Sequence, residues 1–282
     1  MLTLNAPAKI NWFLSVFGKR KDGYHEIQSL MQYVTLSDSI GFEYSDDIEV
    51  VTDADIPLED NLVYKAAVLL KKATGSGAGV RVTLKKEIPL SAGLGGGSSD
   101  AAFTLLGLNQ LWNLNLTGEE LIRLGARLGS DVPFFFNGPA ALVEGRGDIV
   151  SAVRLNRPYT ILLVKPLIGV SSSWAYAELD RFPRQEVLTK GDNNIKLFCQ
   201  ALEKGDFSLL SSILRNDLEP FVIKRYPVIG DIKHTLMFKG ARFSSMSGSG
   251  PTVFGVFETE EKARKAMEHM SPNWCRIVNT VA

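Results

Sequence analysis

Pro89-Leu90-Ser91-Ala92-Gly93-Leu94-Gly95-Gly96-Gly97-Ser98-Ser99-Asp100-Ala101-Ala102 sets a glycine-dense loop directly against the start of a helix. Glycine lets backbone N–H groups turn toward an anion at positive φ, and the unpaired N–H groups of a first helical turn add the positive end of a dipole. The segment from Pro89 to Asp100 therefore reads as a cradle for a nucleotide triphosphate. The helix shows in the recurrence of Ala101, Leu105, Leu108 and Trp112 on one apolar face. Ser98 or Ser99 is its natural N-cap, with Asp100 in the first turn where a carboxylate favours the dipole. No Gly-Lys-Ser/Thr follows the glycines and the run is not G-x-G-x-x-G, so two common nucleotide folds are disfavoured. A plainer reading, a glycine-rich surface turn that only caps a helix, stays open at this point.

The loop sits in a chain of 282 residues with 45% hydrophobic content, enough for a full core in one large domain or two moderate ones. Two is the expectation here. Basic and acidic residues balance at 31 each, so no global field draws the chain to nucleic acid or to an anionic membrane, and a small molecule is the expected partner. The only cysteines, Cys199 and Cys275, form no C-x-x-C pair, which suits a reducing compartment and excludes a cysteine-built zinc cluster. His25, His234 and His269 are too dispersed for H-E-x-x-H chemistry. No signal or transit pattern opens the chain and its apolar stretches are too short to span a bilayer, so a cytoplasmic protein is expected.

Around the loop, Lys9 to Val16 alternates as a strand, with Ile10, Trp12, Leu14 and Val16 on one side and Lys9, Asn11, Phe13 and Ser15 on the other. Asn61 to Lys72 has helical spacing, and Val80 to Leu84 alternates as a strand feeding the glycine loop. Thr117 to Glu120 spells a capping box for a helix that Gly129 would stop, and Pro133 stiffens the turn that carries Asp131. A new strand from Tyr159 to Val164 marks a boundary, giving domains of residues 1–157 and 158–282. Beyond it the pattern predicts helices over Ser173–Leu179, Asn194–Lys204, Phe207–Leu214 and Val228–Leu236. A hairpin ending in a Thr252–Phe257 strand, a helix capped by Thr259 and a Cys275–Val281 strand follow. Strands, helices and hairpins in this order give an α+β fold with one sheet per domain.

Transfer of a phosphoryl group to an alcohol needs an orienting or basic carboxylate, a cation and donors around the phosphates. Asp131, Lys9 and the loop supply one of each. Taken singly, Lys9 reads as a solvated strand lysine and Asp131 as a turn former beside a proline. Tyr24 and His25 follow the turn Lys21-Asp22-Gly23, so a planar base could stack on Tyr24 and be read at its edge by His25. A half-buried loop tyrosine and a surface histidine are the ordinary alternative. Ser247-Gly248-Ser249-Gly250 is a second small-residue turn able to bring N–H groups near an anion, or a plain hairpin turn.

Together these segments resemble the GHMP kinases. The resemblance is carried by Ala6-Pro7-Ala8-Lys9-Ile10-Asn11, Gly18-Lys19-Arg20, Asp22-Gly23-Tyr24-His25-Glu26 and Asp60-Asn61-Leu62-Val63. The glycine loop, Ser130-Asp131-Val132-Pro133-Phe134-Phe135, Asn216-Asp217-Leu218-Glu219 and Ser247 to Phe254 complete it, in order from end to end. It implies a two-domain α+β GHMP kinase fold, with an N-terminal ribosomal-protein-like ATP domain, a C-terminal ferredoxin-like domain and a site in the cleft between them. The implied reaction is ATP-dependent phosphorylation of the 2-hydroxyl of a cytidyl diphosphate alcohol on the non-mevalonate route to isoprenoid precursors, with Mg2+ accompanying ATP and no metal residue firmly assigned.

The same resemblance makes Asp131 the base and Lys9 its partner, and makes Asn11 and His25 substrate contacts. Tyr24 and Tyr176 become the two walls of a cytosine sandwich, and Asn61 and Lys86 fall near the adenine. Ser91 stands where glycine is usual, Ser130 where alanine is usual and Trp12 where leucine is usual; none of these removes a functional group. The segment from Glu178 to Asn193 matches least. A kinase of the homoserine or mevalonate type and a non-catalytic nucleotide-binding regulator are the alternatives, and monomer and weak homodimer are both open.

Overall fold

In the computed structural model, which describes residues 1–182 and 192–282, the glycine loop joins strand β4 (Gly79–Lys85) to helix α2 (Gly96–Leu111). The alternating N-terminal sequence forms strand β1 (Leu2–Lys19), and β2 (His25–Ser45) returns antiparallel along its whole length. On its other edge β2 pairs with β4 through Ser39–Ser45 and with β5 (Ala140–Gly145) through Ile27–Gln32. β3 (Ile48–Thr52) and β6 (Ile149–Ala152) complete a sheet ordered β3-β4-β2-β5-β6, with β1 beside β2. Helix α1 (Leu62–Thr74) packs with α2, and Ala101, Leu105 and Leu108 of α2 are fully buried in the core they share.

A second, antiparallel sheet orders β10 (Trp274–Asn279), β7 (Thr160–Lys165), β9 (Val253–Phe257) and β8 (Phe243–Met246). Helices α4 (Ser172–Leu179), α5 (Asp192–Lys204), α6 (Phe207–Ile213), α7 (Glu219–Arg225), α8 (Val228–Phe238) and α9 (Glu260–Met267) accompany it. The result is the α+β, two-sheet architecture expected. The segment 183–191, within the stretch that matched the family least, lies outside the described residues.

β1 ties the two halves together. Leu14 and Asn216 form a parallel bridge, with Leu14 N–H donating to Arg215 O at 3.0 Å and Asp217 N–H to Leu14 O at 2.9 Å. The Asn216-Asp217 motif thus fastens the strand that carries Lys9. Trp12 is fully buried, donates Nε1–H to Gln32 Oε1 at 2.8 Å and meets Tyr159 and Phe254 edge-on. Truncating such a side chain to alanine costs ~3–5 kcal/mol.

Several sequence expectations are corrected. A register shift between Asn11 and Phe13 puts Phe13 in the same core cluster as Ile10 and Trp12, whereas Leu14 and Val16 join a different cluster. An inserted residue re-aims the side chains that follow it, so simple alternation fails beyond Asn11. Helix α2 begins at Gly96 rather than at the serines, with Gly95 as N-cap at φ 71° and no side-chain cap. Ser99 and Asp100 are consequently buried within the helix, and the first-turn N–H groups are left to the loop. Helix α3 (Gly118–Gly125) has the full Thr117–Glu120 capping box but ends before Gly129, its chain tightening through Arg127 N–H to Leu124 O and Leu128 N–H to Gly125 O. Helix α7 and strands β2, β3, β5 and β6 are additions to the elements expected from the sequence.

Candidate active site

A cavity of about 760 Å³ opens where β1, the glycine loop, the turn after α3 and helix α4 converge. Its lining includes Lys9, Asn11, Tyr24, His25, Ser91, Gly93, Gly95, Asp131 and Tyr176. The sequence-predicted catalytic and substrate-contact residues are therefore gathered in one place. Asn61 and Lys86 are not among the lining residues.

Lys9 is held by its strand. Its N–H donates to Leu94 O at 2.9 Å, which ties β1 to the loop. Its ammonium donates to Asn11 Oδ1 at 2.6 Å and lies 3.3 Å from Asp131 Oδ2. The lysine side chain is 4% exposed and the aspartate 34%, so an enclosed cation faces a carboxylate that still reaches the cavity. Asp131 sits immediately before a 3-10 helix, Val132–Phe136, with Pro133 in its first turn. Asn11 Nδ2 donates to Ser29 Oγ at 2.8 Å, and Ser29 Oγ donates onward to Phe13 O at 2.6 Å, which fixes Oδ1 toward the lysine.

The glycine loop meets the turn between β8 and β9 at close quarters. At Gly93, φ 75°, an added Cβ would lie 2.4 Å from Ser247 O, and at Gly95 it would lie 2.9 Å from Lys9 Cγ. Neither position admits a larger residue without displacing backbone or the lysine. Ser247 Oγ accepts from Asn11 N–H at 3.2 Å and donates to Gly93 O at 3.0 Å, while Asn216 Nδ2 donates to Gly248 O at 2.7 Å. The weak Ser247–Gly250 signal thus belongs to the cavity wall. Ser91 takes φ 50°, so this chain places a side chain in the left-handed region there.

The aromatic residues stand differently from a simple pair of walls. Tyr176 stacks on His25, centroids 4.8 Å apart and planes 25° apart, while the guanidinium of Arg146 lies 5.1 Å from the Tyr24 centroid. Burial first and the charge of Asp131 second push the Tyr176 hydroxyl well above the ordinary phenol range. His25 Nε2 lies 2.8 Å from Asp180 Oδ1, and Lys19 Nζ lies 3.4 Å from Asp180 Oδ2.

Asn61 caps α1, accepting Val63 N–H on Oδ1 at 2.9 Å. Lys86 is turned inward: its ammonium donates to Asp38 Oδ2 at 2.5 Å and Asp100 Oδ2 at 2.6 Å, with all three side chains nearly sealed from solvent. Burial, opposed by the Lys86 charge and reinforced by Asp38, pushes the Asp100 carboxyl up to about 7. Sequence reasoning missed Arg146, Lys19 and Asp180. Lys19 lies in a segment that carries the resemblance, and Asp180 follows Tyr176 at the i,i+4 spacing that shares a helix face.

Residues 61–139 match the GHMP kinases N terminal domain and residues 198–276 the GHMP kinases C terminal family. The chain therefore belongs to the GHMP kinases and is an ATP-dependent small-molecule kinase. A 4-diphosphocytidyl-2-C-methyl-D-erythritol kinase from Thermodesulfovibrio yellowstonii is 50% identical over 284 residues, spanning 100% of this chain and 98% of its own. One from Geobacter metallireducens is 43% identical, spanning 97% of this chain and 96% of its own. The crystal structure of a 4-(cytidine 5'-diphospho)-2C-methyl-D-erythritol kinase superposes with a TM-score of 0.84 at 31% identity, covering 100% of both chains. Within the GHMP kinases, this chain belongs to that kinase family. Homoserine kinase from Cytophaga hutchinsonii shares the fold at a TM-score of 0.74 and 22% identity, spanning 100% of this chain and 94% of its own. Among the described residues no helix is long and apolar enough to cross a membrane.

Proposed function

We propose that this chain transfers the γ-phosphoryl group of ATP to the 2-hydroxyl of 4-diphosphocytidyl-2-C-methyl-D-erythritol, in the cytoplasm, with lobes 1–157 and 158–282 forming the cleft. The observation that carries the reading is the 3.3 Å contact of Lys9 with Asp131 inside the cavity beside the loop. Asp131 orients the hydroxyl and takes its proton as the oxygen attacks phosphorus and the bond to ADP breaks. Lys9 pairs with that carboxylate and offers its charge to the transferred group. The loop N–H groups at the start of α2 hold the remaining phosphates.

Asn11 orients Lys9 and contacts the substrate. Tyr24 and Tyr176 enclose the cytosine, with His25 at its edge. Asn61 and Lys86 stand behind the adenine end. Among the described residues no group of three or more His, Cys, Asp or Glu could hold a metal. The fitting side chain is Ser99, in the first turns of α2, whose hydroxyl is buried and has no hydrogen-bond partner among the described residues. Magnesium brought with ATP would neutralise phosphate charge there. A coupled ADP-release assay tests the reading: turnover with the cytidyl alcohol, inhibited by cytidine nucleotides, is expected. Turnover of homoserine or mevalonate alone would overturn it.

A further inference from the structure

Helix α4 presents Tyr176 and Asp180 to the same histidine. Tyr176 sets the plane of the His25 ring by stacking at 4.8 Å, and Asp180, at the helix C-cap, lies 2.8 Å from Nε2. An ionised carboxylate only accepts hydrogen bonds, so Nε2 carries the hydrogen. Lys19, paired with His25 across the β1–β2 ladder, stands 3.4 Å from the second oxygen of Asp180. Burial alone would raise the Asp180 carboxyl, but the His25 bond and then Lys19 hold it below the ordinary carboxylate range. Among the described residues no hydrogen bond engages Nδ1 of His25, and the ring lines the cavity.

We propose that Asp180 is a positioning residue that holds the proton of the neutral His25 ring on Nε2, so that Nδ1 faces the cavity as an acceptor and selects an amino-bearing pyrimidine edge. Cytosine carries an exocyclic amino donor, which an acceptor nitrogen satisfies; uracil has a carbonyl oxygen there, which the same nitrogen repels. The discrimination between the two bases is then set from the C-terminal lobe through a carboxylate that need not touch the nucleotide. This inference rests on the cytidyl substrate of the proposed function.

The test compares wild type, Asp180→Ala and Asp180→Asn. Three quantities are read: KM for the cytidyl alcohol and for ATP, inhibition by cytidine against uridine monophosphate, and the His25 ring nitrogens in 15N NMR. Asp180→Ala is expected to raise KM for the alcohol roughly tenfold with KM for ATP unchanged and to reduce the cytidine preference by a similar factor. Its His25 signals should shift from the Nε2–H form to a mixture of tautomers. Asp180→Asn, whose amide oxygen still accepts from Nε2–H, should recover most of the preference. An unaltered cytidine preference and unaltered His25 signals in Asp180→Ala would overturn the inference alone. A wild type with no preference for cytidine would overturn it together with the substrate assignment.

Discussion

Two lysines flank the glycine loop, and they meet carboxylates in opposite ways. Lys9 faces one aspartate at 3.3 Å, and that aspartate opens into a cavity. Lys86 is clamped between Asp38 at 2.5 Å and Asp100 at 2.6 Å, behind the loop, and lines no part of that cavity. Asp38 is further satisfied by the N–H groups of Glu87 at 2.6 Å and Ile88 at 2.8 Å, so the cluster staples β2 to both ends of the loop. The difference teaches that identical charge types diverge by access: an open pair can exchange its partner for a substrate, whereas a sealed group holds position.

If that contrast is right, substitutions on the open side reduce activity and spare stability, and those on the sealed side do the reverse. The largest effect is expected from Asp131→Ala, a loss of about 10²–10⁴ in kcat with ATP binding and melting temperature little changed. A kcat within tenfold of wild type would remove its role as base. Lys86→Met leaves two buried carboxylates facing one another and should cost ~3–5 kcal/mol in urea unfolding. A loss below about 1 kcal/mol would mean the cluster is not sealed in solution.

Smaller changes sharpen the comparison further. Tyr24→Ala should raise KM for the cytidyl alcohol by about 1–3 kcal/mol of lost stacking while kcat holds, because stacking is uniform binding. An unchanged KM would take Tyr24 out of the site. Asp100→Asn probes the sealed side through pH. The Asp100 carboxyl, ordinarily at 3.8, is held up to about 7 in the fold, so the folded protein keeps a proton that the unfolded chain releases between those values. Its stabilising contribution is present below 3.8 and is lost as pH rises through 7, whereas asparagine is indifferent. Wild type should therefore lose ground to Asp100→Asn as unfolding is measured at rising pH from 4 to 8, and parallel profiles would contradict this.

Much of this was legible in the chain itself, and the gaps have physical causes. The glycine loop, the buried face of α2, the Thr117 capping box and the helices Phe207–Ile213 and Val228–Phe238 follow from local pattern, which is what sequence shows directly. The shared face of Lys9 and Asn11 was readable from strand alternation, and the 2.6 Å bond between them agrees. The inward turn of Lys86 was not readable, since it depends on Asp38 arriving from a strand 48 residues away. The same holds for Asp180, whose meaning appears only when α4 reaches His25 across the cavity. The bulge after Asn11 likewise follows from pairing with β2, which no window along β1 contains.

The measurement that bears most directly on the Lys9–Asp131 unit is a double-mutant cycle on kcat, using Lys9→Met, Asp131→Ala and the two combined, with melting temperature checked for each. Groups that act as one unit lose nearly all their effect when either is removed, so the combined variant should turn over about as slowly as the worse single variant. Losses that multiply, with the combined variant slower by the product of the two, would show that the lysine and the aspartate act independently.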